Sequence, residues 1–79
     1  MELYFESKYG EWIYLCDCAD KVEAHAAIQK FLDDHHYKSY YWRTWEENGW
    51  KNYDVGSWSE FFHWKVSSEA KVPEGAVNE

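Results

Sequence analysis

Cys16 and Cys18, separated by one residue, are candidate metal ligands or nucleophiles. Thiolates and imidazoles are the usual zinc ligands, and the chain also contains four histidines: His25, His35, His36 and His63. In zinc sites, however, paired cysteines usually have two to four residues between them, whereas Cys16 and Cys18 have one. Cα atoms two positions apart on a strand are also separated by about 7 Å. That separation also strains a disulfide. We therefore predict reduced thiols, no metal and no cofactor, as is typical of a cytosolic protein.

Nucleophilic or acid–base catalysis is not indicated by the spacing of the remaining polar residues. A nucleophile such as Cys18 needs a histidine within hydrogen-bond reach that is itself held by a third group. A histidine pair at the end of a helix is explained by the negative end of the helix dipole. Two carboxylate pairs are typical of solvated faces: Asp33-Asp34 and Glu46-Glu47. A glycosidase would need a cleft that so short a chain can hardly enclose. We predict that the protein is not an enzyme.

Composition narrows the class of protein further. The 79 residues carry a net charge of -7, and 22% of them are aromatic. So much apolar surface argues against disorder, and the length suits one domain. An acidic chain whose only arginine is Arg43 argues against direct binding of nucleic acid, which needs several cations. No apolar run reaches the roughly 18 residues of a membrane span.

The elements that would position these residues begin with a hairpin and a helix. Aromatic and aliphatic runs at residues 3–7 and 12–15, broken by Gly10, predict two paired strands. Asp20 followed by Glu23 three residues later has the form of a capping box. Apolar residues then recur at helical spacing, which predicts a helix over Lys21–Asp34.

Residues 37–64 contain 11 aromatics and predict three more strands. Asn48-Gly49 is typical of a two-residue hairpin turn, and Gly56-Ser57 marks a second break. We predict strands at residues 38–46, 50–55 and 59–66. The resulting order, ββαβββ, indicates an α+β fold in which one helix packs on one face of an antiparallel sheet. Residues 1–67 form this single domain, and residues 68–79, which lack aromatics, are predicted to be a flexible C-terminal tail.

One helix covers only one face of the sheet, and strand alternation predicts which residues share it. Facing the helix we expect Leu3, Phe5, Ile13, Leu15, Tyr41, Tyr53, Phe62, Trp64 and Val66. On the other face we expect Tyr4, Trp12, Tyr14, Tyr40, Trp42, Trp50 and Phe61. Antiparallel sheets normally have polar groups there, so an exposed belt of rings would mark an interface. The alternative is a sheet that curls and buries both faces.

Residues 53–62, Tyr-Asp-Val-Gly-Ser-Trp-Ser-Glu-Phe-Phe, are the most motif-like stretch. Gly56 permits a tight bend and Asp54 can satisfy turn amides, which predicts a sharp corner between two strands. The stretch resembles a Tyr-Asp-x-Gly-Ser-x-Ser-Glu-Phe-Phe pattern of small proteins encoded by bacteriophages and mobile elements. In size and acidity the chain is similar to anti-CRISPR and other anti-defence proteins. The resemblance implies an inhibitor in the cytoplasm of a bacterial host cell and assigns no site residues.

The leading hypothesis is a non-enzymatic inhibitor that occupies a basic groove of a host defence or nucleic-acid-handling protein, by occlusion or as a mimic of nucleic acid. Acidic residues would attract that groove and aromatic rings would supply affinity. The predicted partner-binding residues are Trp42, Trp45, Glu46, Glu47, Trp50, Asp54, Trp58 and Glu60. Two alternatives stay open: a homo-oligomeric scaffold, such as a homodimer, built on the aromatic face, and a module that binds a small ligand or nucleotide between its rings.

Overall fold

A six-stranded sheet with one helix on one face makes up the fold in a computed structural model, which describes residues 1–56 and 60–78. In chain order the elements are β1 (Glu2–Glu6), β2 (Trp12–Asp17), α1 (Lys21–Asp34), β3 (Arg43–Glu47), β4 (Trp50–Asp54), β5 (Phe61–Lys65) and β6 (Val77–Asn78). The strands lie in the order β3-β4-β5-β1-β2-β6. The first five pair antiparallel, which confirms the predicted ββαβββ order and α+β class. The short β6 pairs parallel to β2 and was not predicted.

Helix α1 has the predicted bounds, and a capping box forms at its N-terminus. The Asp20 side chain accepts a hydrogen bond from the Glu23 backbone N–H at 2.9 Å, and the Glu23 carboxylate accepts one from the Ala19 N–H at 2.9 Å. Ala24, Ile28 and Leu32, four residues apart, are the buried stripe that faces the sheet. Among the described residues, no helix is long and apolar enough to cross a membrane.

The face of the sheet that α1 covers, here called the helix face, holds the main hydrophobic core. Eight of the strand residues predicted to face the helix are confirmed as members of this core or packed against it: Leu3, Phe5, Ile13, Leu15, Tyr53, Phe62, Trp64 and Val66. The ninth prediction, Tyr41, is wrong, because Tyr41 precedes β3 and is 53% exposed.

The hairpin of β3 and β4 confirms the predicted Asn48-Gly49 turn, with positive φ values of 53° and 85°. Glu47 and Trp50 pair directly across it. Strand β3 is shorter than predicted, since β4 ends at Asp54 and residues 38–42 therefore have no partner strand.

The face predicted for Trp42 is wrong. Its ring packs against the helix-face core and stacks on His25 of α1, with 4.1 Å between ring centroids. Tyr40, also predicted for the opposite face, precedes β3 and is highly exposed. The predicted corner is described as far as Gly56, whose φ is 82°. Ser57, Trp58 and Ser59 lie outside the described residues.

The opposite face of the sheet, here called the second face, carries a smaller aromatic cluster. As predicted, Tyr4, Trp12, Tyr14 and Trp50 lie on it. Residues 67–78, here called the C-terminal segment, pack on this cluster through the buried Ala70 and through Ala76. The predicted belt of exposed rings is therefore partly covered, and Tyr4 and Trp50 are buried. These contacts of the segment were not indicated by its composition, and its flexibility stays a prediction.

Candidate binding groove

An open groove of about 610 Å³ lies on the second face, between the turn of the β3–β4 hairpin and the C-terminal segment. It is lined by Trp12, Trp45, Glu47, Asn48, Trp50, Asn52, His63, Glu69, Lys71 and Pro73. The strand residues among them reach one face because alternate residues of a strand point the same way. The groove therefore combines three indole rings, a histidine and charged groups at its rim.

The aromatic rings of the groove hold one another in place. Trp50 meets Trp12 edge to face, with 5.1 Å between centroids and 74° between planes, and meets Tyr4 at 5.8 Å and 79°. Trp12 reaches from β2 across β1 and stacks on His63 of β5, 4.0 Å away and nearly parallel. The edge-to-face contacts of Trp50 are of the kind that aromatic quadrupoles favour. The half-buried ring of Trp12 is consequently preorganised for a ligand. The half-buried ring of Trp45 has different neighbours: it meets Phe61 edge to face at 6.5 Å, and Arg43 lies over it at 5.5 Å.

His63 connects the groove to two polar side chains. Its Nε2 lies 2.7 Å from the Glu6 carboxylate, and its Nδ1 faces the amide oxygen of Asn52. Asn52 in turn donates to the backbone carbonyl of Trp45 at 3.5 Å. Burial lowers the pKa of His63, although the Glu6 carboxylate opposes this shift. These two contacts, with Glu6 and Asn52, fix the orientation of the His63 ring, on which Trp12 stacks.

The lowered pKa of His63 predicts a loss of stability on acidification. Below the ordinary pKa of 6.5 the unfolded chain binds a proton before the folded protein does. The free energy of unfolding should therefore fall as the pH drops through 6.5, by at most about 1.4 kcal/mol per pH unit, until the folded pKa is reached. Urea unfolding between neutral and mildly acidic pH measures this slope. His63→Gln should flatten it.

His36→Asn provides the matched control for that experiment. His36 is exposed and has a positive φ of 58°, which asparagine tolerates. Its removal should leave the pH slope of stability unchanged. Equal effects of the two substitutions would contradict the assignment to His63.

The rim of the groove has carboxylates on both sides and one lysine. Glu47 lies at the end of β3, and Glu69 lies on the C-terminal segment together with Lys71. On β3, Arg43 donates one hydrogen bond to Asp54 at 2.9 Å, and its guanidinium lies 5.5 Å from the centroid of the Trp45 ring. With a net charge of -7 on the chain, the groove opens on a surface that attracts cations.

Three of the predicted partner-binding residues line the groove: Trp45, Glu47 and Trp50. Asp54 is buried, where it accepts from Arg43 and from the Gly56 N–H. Glu60 is half-buried beside the undescribed residues, and Trp58 is one of those residues. The structure thus brings together the part of the predicted set that flanks the Asn48-Gly49 turn.

Two predicted residues lie on the other side of the sheet. Glu46 alternates with Trp45, and Trp42 lines a separate apolar groove of about 500 Å³ between α1 and the β3–β4 hairpin. His25, Tyr53 and Lys51 also line that groove. The eight predicted residues therefore do not form one surface.

Sequence reasoning missed His63, Asn52 and the residues of the C-terminal segment. A signal for Asn52 was present, since the two-residue turn pairs Glu47 with Trp50 and so places every second residue of both strands on the face of Trp50. For His63, the signal was alternation along β5, since its neighbours Phe62 and Trp64 were both predicted to face the helix. For Glu69 and Lys71 the sequence carries no periodic signal.

The two cysteines lie outside the groove, packed with the helix-face core. Their Sγ atoms are 3.8 Å apart. Cys18 is buried, and burial raises the pKa of its thiol to about 12. A thiol with so high a pKa is a poor nucleophile and metal ligand. Within residues 1–56 and 60–78, no group of three or more Cys, His, Asp or Glu residues is placed to hold a metal ion.

The chemistry that the groove itself supports is recognition. Indole faces bind cations and apolar groups, and nearby carboxylates accept charged hydrogen bonds. Trp45 and Glu47 present both kinds of group side by side at the hairpin edge. No protein-family model, no curated protein and no solved structure matches the chain.

Proposed function

We propose that this protein is a non-enzymatic binding protein. It binds a basic surface of a partner protein through the groove on the second face and thereby blocks that surface. One observation carries the proposal: Trp12, Trp45 and Trp50 line an open groove whose rim bears Glu47 and Glu69. The overall charge of -7 gives the chain a long-range attraction for a basic surface.

A lysine or arginine side chain of the partner suits this groove. Its aliphatic stem packs on an indole while its charge interacts with the ring face. Glu47 and Glu69 then accept charged hydrogen bonds from its head group. Tryptophan at the centre of a contact is typical of residues that dominate binding energy. Affinity would come from the rings and the association rate from the acidic charge.

The class of partner follows from where large basic grooves occur. Proteins that hold DNA or guide RNA neutralise phosphates with many lysines and arginines. An acidic protein seated in such a groove excludes the nucleic acid, either by occlusion or as its mimic. We therefore propose an inhibitor of a host defence or nucleic-acid-handling protein, of the anti-CRISPR type, that acts in the bacterial cytoplasm.

A small-ligand function is the second candidate, favoured by the volume of the groove. Ligand sites commonly enclose about 300–1,000 Å³, and the groove holds about 610 Å³. A planar ligand could stack on Trp12 or Trp45. Titration with nucleotides distinguishes the two functions, since quenching of tryptophan fluorescence supports the ligand and a flat titration counts against it.

The test of the inhibitor function uses a basic peptide and a pair of variants. Trp45→Ala should weaken binding of nona-arginine about 30-fold or more, as expected for a hot-spot tryptophan. Tyr40→Ala removes a highly exposed ring outside the groove and should change binding little. Fluorescence titrations measure both. Wild-type affinity should also fall at least about tenfold from low to high ionic strength.

The same variants serve as baits in a host lysate, where proteins retained by wild type and Tyr40→Ala but lost by Trp45→Ala are partners of the groove. Binding of nona-arginine that is independent of salt would exclude charge attraction. Equal binding by Trp45→Ala and wild type would exclude the groove.

A further inference from the structure

Strand β3 is an edge of the sheet, and it has the properties of a strand that pairs with another chain. Within residues 1–56 and 60–78 its neighbour in the sheet is β4 alone. All of its residues except Trp45 are exposed. It contains no proline and no bulge, two of the features that protect edge strands, and its three charged residues are of both signs, so they can pair with a complementary strand as well as repel a like-charged one.

The backbone groups available on this edge belong to Thr44 and Glu46. Glu47 and Trp50 flank a two-residue loop, so they form a hydrogen-bonded pair of the antiparallel ladder. Hydrogen-bonded pairs alternate along the ladder, and Trp45 with Asn52 is the next one. The N–H and C=O groups of Thr44 and Glu46 therefore point away from β4.

The sequence of β3, Arg-Thr-Trp-Glu-Glu, is complementary to itself when two copies run antiparallel. With Trp45 at the centre, Arg43 stands opposite Glu47 of the second copy, and Thr44 stands opposite Glu46 of the second copy. Thr44 and Glu46 are the residues whose backbone groups are free to bond in that register. We propose that β3 pairs with β3 of a second copy across a two-fold axis and joins the two sheets into one.

The side chains on this edge favour the same register. Arg43 is 67% exposed although one of its nitrogens contacts Asp54. A guanidinium has five N–H donors, so others are available to Glu47 of the second copy. The two Trp45 residues form a non-hydrogen-bonded pair, in which side chains approach most closely, and aromatic pairs are favoured there. Opposite charges at both ends thus flank an aromatic contact at the centre.

Sedimentation of the full chain tests the dimer directly. At micromolar to submillimolar concentration the wild type should sediment at twice the monomer mass of 9.6 kDa. Glu47→Lys puts a lysine opposite Arg43 of the second copy and should weaken dimerisation at least about tenfold. Glu46→Lys makes the same charge change one residue away, opposite Thr44, and should leave dimerisation within about threefold of wild type.

Thr44→Pro is the second variant, and it acts on the backbone. It removes an N–H that points away from β4, so the β3–β4 ladder keeps its bonds while the dimer loses two, one from each copy. Its circular dichroism should match wild type, and its mass should be that of a monomer.

A wild type that stays monomeric throughout would overturn the proposal. Equal weakening by Glu46→Lys and Glu47→Lys would overturn the register. A dimeric Thr44→Pro variant would overturn pairing through β3. The sedimentation measurement contains no partner or peptide, so its failure leaves the groove function untouched. Trp45 and Glu47 belong to both the groove and the proposed dimer contact. The peptide titrations are therefore made at protein concentrations at which the wild type is monomeric, and their failure then leaves the dimer untouched.

Discussion

Trp50→Ala is expected to lower the free energy of unfolding by about 3–5 kcal/mol, the usual effect of removing a large buried ring. A domain of this size is stable by about 4–12 kcal/mol, so the loss would be a large fraction of its total stability. Trp50 is 6% exposed and contacts Tyr4, Trp12 and Ala70 in the cluster of the second face. Urea unfolding followed by circular dichroism measures the loss.

Trp45→Ala is the matched control, because it removes the same side chain five positions earlier in the same hairpin. Trp45 is half-buried at the edge, so its loss should lower stability by about 1 kcal/mol. The pair separates folding from recognition, since Trp45→Ala should fold and yet bind the basic peptide about 30-fold more weakly or worse. Equal destabilisation by the two substitutions would contradict the central position of Trp50.

Gly49→Ala is expected to lower the free energy of unfolding by about 2–4 kcal/mol, through two independent causes. Gly49 has a φ of +85°, which a residue with a Cβ adopts only at a cost of about 1–2 kcal/mol. A Cβ there would also lie 2.7 Å from the backbone nitrogen of Ala70. Because backbone atoms cannot move aside cheaply, the C-terminal segment would have to shift.

Gly10→Ala isolates the first of these causes. Gly10 has a φ of +82°, and an added Cβ would meet no atom within 4 Å. It should therefore lower stability by about 1–2 kcal/mol only. Deleting residues 68–79 should reduce the effect of Gly49→Ala to that of Gly10→Ala, as in a double-mutant cycle. If Gly49→Ala still lowers stability more than Gly10→Ala after the deletion, the contact with Ala70 is not the cause of the difference between the two substitutions.

Local signals of the sequence were sufficient for most elements of the fold. The capping box at Asp20 and Glu23 correctly predicted the start of α1, and apolar residues at helical spacing correctly predicted its extent to Asp34. Asn-Gly correctly predicted the turn of the β3–β4 hairpin. These signals act over a few residues, so no knowledge of the remaining chain is needed to interpret them.

The errors arose where a distant partner decides the structure. Residues 38–42 have strand-like side chains, yet they lie outside β3 because β4 ends at Asp54 and offers them no partner. Counting alternation from that false start put Trp42 on the wrong face. Counting back from the Asn48-Gly49 turn would have placed Trp42 correctly, on the face opposite to Trp45 and Glu47, since a turn fixes the register and a strand boundary does not.

Part of the groove was predictable because a two-residue turn determines which residues of the hairpin share a face. Trp45, Glu47 and Trp50 flank the turn, and both their types and their positions pointed to binding. Glu69, Lys71 and Pro73 were not predictable, because the segment that carries them lacks aromatics and hydrophobic periodicity. Its position depends on the small side chain of Ala70, which fits against the rings of Tyr4 and Trp50.

The short strand β6 makes the two edges of the sheet unequal. It pairs with Ile13 and Tyr14 of β2, and its two residues offer few backbone groups to a further chain. Association through β3 would leave β6, within residues 1–56 and 60–78, as the outer strand at both ends of the joined sheet. Assembly would stop at two copies, so the protein would remain a discrete particle at high concentration where a chain with two open edges could grow into a fibre.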